Sequence, residues 1–131
     1  MNMAAFDYRQ ATSVDDAVAA LAGGDAKVLA GGMSLLPLMK LRLAHPSTLV
    51  DIGRLAELKA IRPTADGGLE IGALATYSEV LASTTLPIAI ECITGIGDVQ
   101  VRNRGTVGGA ISHADPASDL PALGLALDYS A

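Results

Sequence analysis

Residues 27–36, KVLAGGMSLL, join a short apolar run to a Gly-Gly pair and then to a serine. Residues 27–30 predict a strand, because the run is short, apolar and bounded by glycine. Ser34 is a favoured residue type at the start of a helix, and Pro37 is tolerated in the first turn of the helix that it predicts. The stretch therefore predicts a strand, a tight glycine turn and a helix in direct succession.

The sequence on either side of this stretch extends the pattern to a small parallel sheet. Residues 5–8 and 48–52 predict two further short strands. After the first of them, Ser13 and Asp16 predict a capping box, with aspartate in place of the usual glutamate, and Gly23 predicts the end of that helix. Strands that alternate with helices in this order imply a parallel sheet.

The pattern changes to a hairpin followed by helices in the rest of the chain. Residues 58–62 and 69–73 predict two antiparallel strands, because Asp66-Gly67-Gly68 between them is a hairpin signal. The elements predicted after the hairpin are a helix with a Thr76–Glu79 capping box, a helix beginning at Pro87, a glycine-rich strand or loop over residues 105–111 and a last helix beginning at Ser118 or Asp119.

These elements predict an α+β fold of two lobes. We expect residues 1–53 to form a small parallel βαβ lobe. We expect residues 54–131 to form part of a second lobe, with mainly antiparallel strands and helices. The length of 131 residues is that of one ordinary domain, so both lobes belong to the same domain in this interpretation.

Composition excludes several classes of function. The net charge is −5 and the nine Lys and Arg residues are scattered, whereas a nucleic-acid binder needs a basic stripe. Cys92 is the single cysteine, which excludes an internal disulfide and a cysteine-held cluster. No apolar run is long enough to span a membrane and residues 1–10 do not form a signal peptide, so we expect a cytoplasmic protein. Half of the residues are hydrophobic, which suggests that a partner covers part of the surface.

The Gly31-Gly32 pair is a candidate site for a diphosphate. It lies between a strand and a helix start, where unpaired N–H groups and a partial positive charge favour anions. Glycine lets the main chain approach a phosphate closely, and Ser34 can add a hydroxyl donor. The alternative is a tight turn that needs glycine only for its backbone angles, and the pair alone does not decide between them.

The Gly108-Gly109 pair, preceded by Thr106, is the second candidate. Its structural alternative is a β-bulge, or a strand that passes close to another backbone. Neither pair matches the G-x-G-x-x-G fingerprint or the phosphate-binding loop of nucleotide triphosphatases. The pattern therefore argues against a Rossmann domain and against such an enzyme.

Three segments together resemble one known family. They are AGGMSLLPLMKLR at residues 30–42, IGDVQVRNRGTVGG at residues 96–109 and DPASDLP at residues 115–121. The family is the FAD-binding medium subunit of molybdenum hydroxylases, such as carbon monoxide dehydrogenase and bacterial xanthine dehydrogenase. Its members are about twice as long as this chain, so the resemblance implies a truncated subunit that lacks the rest of the second lobe and a further domain.

The resemblance implies a two-lobed FAD-binding fold of the vanillyl-alcohol-oxidase type and a specific set of cofactor contacts. No catalytic residue and no metal ligand is implied on this chain. The Asp119 carboxylate could accept hydrogen bonds from ribose hydroxyls, or could simply favour a helix start. The residues implied to bind FAD are Val28, Leu29, Ala30, Gly31, Gly32, Met33, Ser34 and Leu35, then Thr106, Val107, Gly108, Gly109 and Ala110, and finally Asp119.

The resemblance also implies partners and a role in electron transfer. A large subunit would carry the molybdenum cofactor and a small subunit would carry iron–sulfur clusters, in a hetero-oligomer without nucleic acid. Electrons would pass from the iron–sulfur clusters to FAD on this chain and then to an external acceptor. The alternative is a truncated, non-catalytic remnant or interaction module that retains the fold without binding FAD.

Four other side chains have a structural interpretation beside a functional one. Arg102 and Arg104 could offset phosphate charge or form surface ion pairs. His113 could donate to a cofactor, although a loop histidine is more often exposed or structural. Cys92 is expected to be a buried, inert thiol.

Overall fold

The computed structural model describes residues 3–131, and the chain divides into two compact units. The first unit ends at Ala56 and the second runs from Glu57 to Ala131. The sequence places a lobe boundary between residues 53 and 54, and this boundary within one FAD-binding domain stays a prediction.

The first unit is a three-stranded parallel sheet with two helices, as the β-α-β-α-β pattern predicts. The strand order is β1-β3-β2, and both pairs of neighbouring strands are parallel. Each connection between consecutive parallel strands must cross over through a helix, which explains the alternation in sequence. The elements are β1 Asp7–Gln10, α1 Val14–Leu21, β2 Ala26–Leu29, α2 Leu35–Lys40 and β3 Thr48–Asp51.

The central strand β3 carries the core of this unit. Val50 is 0% exposed and Leu49 is 1% exposed, on opposite faces of the sheet. Val50 packs with Ala11 and Ala17, so α1 covers one face of the sheet. The edge strands β1 and β2 are mostly exposed, but the chain becomes half-buried at the end of β2 and buried at Gly31.

The start of α1 differs in detail from the predicted capping box. Ser13 accepts a hydrogen bond from the Asp16 N–H at 3.0 Å, as expected of an N-cap. The Asp16 carboxylate, however, accepts from the Thr12 N–H at 3.0 Å and pairs with Arg9, so the reciprocal bond to the Ser13 N–H is absent. The prediction of a full box is wrong, because the aspartate side chain binds the preceding residue instead. The Thr12 N–H, followed by Arg9, lowers the pKa of Asp16.

The second unit contains a short hairpin and five helices within its described residues. The strands pair antiparallel, and Gly67 adopts a positive φ of 87° in the turn between them, as its place in the hairpin signal predicts. The elements are a 3₁₀ turn at Ala56–Leu58 that begins at the boundary, β4 Ile61–Pro63, β5 Leu69–Ile71, α3 Tyr77–Ser83, α4 Pro87–Thr94, α5 Val99–Arg102, α6 Val107–His113 and α7 Asp119–Ala126.

The helices of the second unit share one hydrophobic core. Ile93 of α4 is 1% exposed, and Tyr77 of α3 is buried, which raises the pKa of its hydroxyl. Cys92 is partly buried against this core, and burial followed by the charge of Asp119 raises the pKa of its thiol. The buried members of the core are Ala75, Tyr77, Val80, Ala89, Ile93, Leu120 and Leu123.

Two features of residues 98–113 differ from the sequence prediction. Residues 107–113 form helix α6, so the prediction of a strand or loop over residues 105–111 is wrong. The Thr106 hydroxyl accepts from the Gly109 N–H at 3.2 Å and caps this helix, which offsets the low helix propensity of two glycines. The short helix α5, capped by the Asp98 carboxylate, was not predicted.

Helix α3 begins with a complete capping box, which should contribute to the stability of the chain. Thr76 Oγ1 accepts from the Glu79 N–H at 3.3 Å, and the Glu79 carboxylate accepts from the Thr76 N–H at 2.7 Å. We expect Thr76→Ala to lower the free energy of unfolding by about 1 kcal/mol, as measured by denaturant titration. Ser118→Ala is the matched control, because the Ser118 side chain makes no capping bond and its loss should change stability little. Equal losses in both variants would contradict the role of the box.

The same box predicts a pH dependence of stability. Hydrogen bonds from the Thr76 N–H and then from its hydroxyl lower the pKa of Glu79 in the folded chain. Its contribution is therefore complete above the pKa of unfolded glutamate and is lost as the pH falls through the folded pKa. We expect Glu79→Gln to lose part of the decrease in stability that the unchanged chain shows as the pH falls below about 5. Identical pH profiles of the two proteins would contradict this expectation.

Candidate functional site

The first predicted segment, residues 28–35, lies where β2 leaves the sheet and α2 begins. The Leu29 carbonyl accepts from the Ile52 N–H at 3.0 Å, which fixes the end of β2 against the chain that follows β3. Gly31 is buried, Gly32 is half-buried, and Met33 and Ser34 are exposed. The turn is therefore anchored at the sheet and open to solvent where it enters the helix.

Several consecutive N–H groups in this turn are unpaired, including three that follow the first glycine. Among the described residues, the main-chain amides of Gly32, Met33 and Ser34 donate no hydrogen bond. Their carbonyls behave differently, since Gly32 accepts from the Leu36 N–H at 3.1 Å and Ser34 accepts from the Leu38 N–H at 3.2 Å. These carbonyls accept hydrogen bonds from the helix, whereas the amides donate none. The turn therefore presents free N–H donors, as a helix N-terminus does.

Ser34 does not cap α2 as its residue type predicts. It stands at the N-cap position with a helical backbone, φ −102° and ψ −48°, and its side chain makes no capping bond. An N-cap side chain reaches the amides of the first turn from an extended backbone, which Ser34 lacks. The cap prediction is wrong, and the exposed hydroxyl stands beside the three unpaired amides.

Two features favour glycine at position 32. Its φ of 78° lies in the left-handed region that side chains with a Cβ disfavour. A Cβ added there would also lie 2.9 Å from Leu36 Cδ1. The turn geometry that presents the unpaired amides therefore favours glycine at position 32.

The second predicted segment, residues 106–110, is the capped first turn of α6, and its amides are already paired. The Val107 N–H donates to the Ala75 carbonyl at 3.0 Å, and the Gly108 N–H donates to the Ala73 carbonyl at 2.9 Å. The Thr106 hydroxyl and carbonyl accept from the next two amides. The segment therefore does not offer the amide donors that a glycine pair suggests from sequence.

Gly108 has a structural reason to be glycine. A Cβ added there would lie 2.6 Å from Ala73 Cβ, 2.7 Å from its carbonyl oxygen and 2.8 Å from its Cα. The close approach to another backbone, which is the structural alternative for this pair, is present at this residue. Gly109 is constrained differently, because a Cβ there would lie 2.7 Å from the Thr106 hydroxyl that caps the helix.

Asp119 is the first residue of α7, and its side chain is exposed. A carboxylate in the first turn of a helix is favoured by the helix dipole. The Asp119 carbonyl lies 3.9 Å from Cys92 Sγ, which ties this helix start to α4. In the second unit α7 packs against α6, so the two predicted positions on these helices belong to adjacent elements.

Arg102 has a role that neither sequence interpretation anticipates. Its Nη1 donates to the carbonyls of Thr94, Ile96 and Gly97 at 3.1, 3.0 and 3.2 Å. It therefore binds main-chain oxygens instead of a surface carboxylate, and it joins the end of α4 to α5. The only sequence indication is an arginine that follows a helix end within a few residues. His113 lies in the last turn of α6 and is exposed.

Two kinds of feature are absent from residues 3–131. In this described part of the chain, no three His, Cys, Asp or Glu side chains are grouped so that they could hold a metal ion. Over the same residues, no helix combines the length and apolar character that crossing a membrane requires.

Known proteins similar to this chain share one family. The family described as the FAD binding domain in molybdopterin dehydrogenase matches residues 4–130. The carbon monoxide dehydrogenase medium chain of Hydrogenophaga pseudoflava is 46% identical over 129 residues, which cover 94% of this chain and 45% of the relative. The glyceraldehyde dehydrogenase medium chain of Sulfolobus acidocaldarius is 44% identical over 128 residues, which cover 94% of this chain and 45% of the relative.

A solved structure agrees with the sequence relatives. Carbon monoxide dehydrogenase from Hydrogenophaga pseudoflava superposes with a TM-score of 0.88 at 47% identity, covering 96% of this chain and 46% of the solved chain. The α+β fold and the recognised family are thereby confirmed. The chain spans about half the length of the relatives that it matches. The chain belongs to the family of FAD-binding domains of molybdopterin dehydrogenases.

Proposed function

We propose that this chain binds FAD and serves as the flavin-carrying, electron-transfer part of a molybdenum-containing hydroxylase or dehydrogenase. The observation that carries the proposal is the family match over residues 4–130, within which the turn at Gly32, Met33 and Ser34 has three unpaired amides. An FAD diphosphate carries two negative charges and needs several donors in a small volume, which such a turn supplies. Bound FAD would supply the redox chemistry, and the residues of this chain would bind and orient it.

The first segment would provide the diphosphate donors. The amides of Gly32, Met33 and Ser34 would donate to phosphate oxygens, with the exposed Ser34 hydroxyl as a further donor. Main-chain amides suit a chain of net charge −5, because they hold an anion without a lysine or arginine. The other proposed contacts of this segment are Val28, Leu29, Ala30, Gly31 and Leu35.

The second segment would contact FAD by packing instead of by donating amides. Its N–H groups from Val107 to Ala110 already have partners inside the second unit. Gly109 is exposed and has no side chain, so a planar group can approach the main chain closely there, whereas the space beside Gly108 is filled by Ala73. Asp119, exposed at the start of α7, would accept hydrogen bonds from ribose hydroxyls.

The proposed partners follow from the kind of complex in which the relatives are named as medium chains. We infer a hetero-oligomer with a large molybdenum-cofactor subunit and a small iron–sulfur subunit. In it, this chain would relay electrons from the iron–sulfur clusters to an external acceptor. Exposed apolar side chains in both units, such as Leu43 at 71% and Leu125 at 81% exposure, support a covering partner.

A second function is favoured by one specific observation. The paired amides of the second segment and the backbone contact of Gly108 explain that glycine pair by structure alone. A non-catalytic remnant or interaction module would retain the pair for the same reason without binding FAD.

Titration of the purified chain with FAD separates the two functions. The proposal predicts saturable binding and a rise in the free energy of unfolding of about 2.7 kcal/mol when free FAD is a hundredfold above Kd. Weak competition by both ADP and NAD would show that the whole flavin dinucleotide is recognised. Absence of both binding and thermal stabilisation at saturating FAD would support the remnant.

A further inference from the structure

The side chain of Arg102 binds main-chain carbonyls at the end of helix α4. Its three acceptors, the carbonyls of Thr94, Ile96 and Gly97, belong to the last residue of α4 and to the chain that leads into α5. Carbonyls at a helix end have no partners within the helix, so a single guanidinium that satisfies three carbonyls fixes the path of the chain between the two helices.

The chain that follows Arg102 is held at two further points before α6 begins. The Ser78 hydroxyl donates to Asn103 Oδ1 at 2.5 Å, and the Tyr77 N–H donates to the Gly105 carbonyl at 3.1 Å. Both donors lie in the first turn of α3. Residues 102–105 therefore have a side-chain or main-chain anchor at three of their four positions.

These anchors set where the start of α6 lies. Gly105 is buried against the Tyr77 ring, where an added Cβ would lie 2.8 Å from Tyr77 Cε2. The next residue is Thr106, the cap of α6 and the first residue of the second proposed FAD segment. Only three residues lie between Arg102 and Thr106, so a displacement of the chain at the end of α4 is transmitted to the segment over a short distance.

We propose that Arg102 is a positioning residue for FAD binding, which holds the segment at residues 106–110 in register through α5. The inference rests on the proposed function and adds a residue that is not itself a cofactor contact. All three bonds come from Nη1, so a lysine ammonium, with three N–H groups on a shorter stem, should replace them only in part. Ser78 supports the same segment through Asn103.

The test compares FAD binding by Arg102→Gln, Arg102→Lys and Ser78→Ala of the full 131-residue chain. Kd is measured by flavin fluorescence well below the melting temperature, together with the visible circular dichroism of the bound flavin. We expect Arg102→Gln to raise the Kd about tenfold and to change the flavin dichroism, with Arg102→Lys intermediate and Ser78→Ala weaker. Arg62→Gln, an exposed change on β4, is the matched control and should leave both readouts unchanged.

The outcomes distinguish positioning from general stabilisation. A purely structural arginine would lower the melting temperature but leave the Kd and flavin dichroism of the folded protein unchanged, and that result would overturn the inference. If Arg102→Gln does not fold, Arg102→Lys and Ser78→Ala decide by the same readouts. If the unchanged chain binds no FAD, the proposed function fails and the inference falls with it, whereas tight binding unaffected by these variants overturns the inference alone.

Discussion

Replacing Gly108 with alanine is expected to lower the free energy of unfolding by about 3 kcal/mol. The added Cβ would lie within 2.8 Å of three atoms of Ala73, two of which belong to the main chain. A flexible side chain could move aside, but Ala73 is fixed because its carbonyl accepts from the Gly108 N–H. Relief of the clash therefore has to break that hydrogen bond and displace the start of α6.

Denaturant titration of Gly108→Ala measures this loss, and Gly23→Ala is its control. An added Cβ at Gly23 meets nothing within 4 Å, so that variant should be within about 0.5 kcal/mol of the unchanged chain. Similar stabilities of the two variants would show that α6 can move away from Ala73 without cost, contrary to the account of the second segment.

Replacing Gly32 with aspartate is expected to weaken FAD binding about a hundredfold or more. Aspartate and asparagine both tolerate the positive φ of this position better than other side chains do. The new carboxylate, however, would stand beside the three amides at which the diphosphate is proposed to bind. Repulsion between the new carboxylate and the diphosphate would then add to the steric cost of a side chain that contacts Leu36.

Gly32→Asn is the matched variant that separates charge from shape. It has nearly the same size as Gly32→Asp but no charge, so it should bind FAD more tightly than the aspartate variant. The difference between the two should shrink as salt is added, because salt screens the charge at an exposed turn. Equal FAD affinities of the two variants would mean that no phosphate lies near this residue.

Local sequence signals predicted the first unit well because its elements are set by nearby residues. The strand, glycine pair and helix of residues 27–40 occur in the predicted order, and the strands are parallel. Capping chemistry was predicted correctly at Thr76, where the glutamate side chain reaches back to the N-cap amide. At Ser13 the shorter aspartate side chain accepts from the Thr12 N–H instead, and residue type alone does not predict this partner.

The second segment could not be predicted because its conformation depends on partners distant in sequence. Two glycines indicate a loop or strand by propensity, yet α6 is held by carbonyls of Ala73 and Ala75, about thirty residues earlier. The family resemblance identified both segments, but it could not show that one has unpaired amides and the other does not. That difference, set by tertiary hydrogen bonds, changes the proposed role of the second segment from an anion donor to a packing surface.

An amide proton–nitrogen correlation spectrum of the chain, recorded during titration with FAD, locates the diphosphate residue by residue. If the diphosphate binds to the turn after β2, the amide resonances of Gly32, Met33 and Ser34 should shift strongly and saturate together. The Gly108 N–H should stay hydrogen-bonded to the Ala73 carbonyl. Saturable FAD binding that left those three resonances in place would contradict the account.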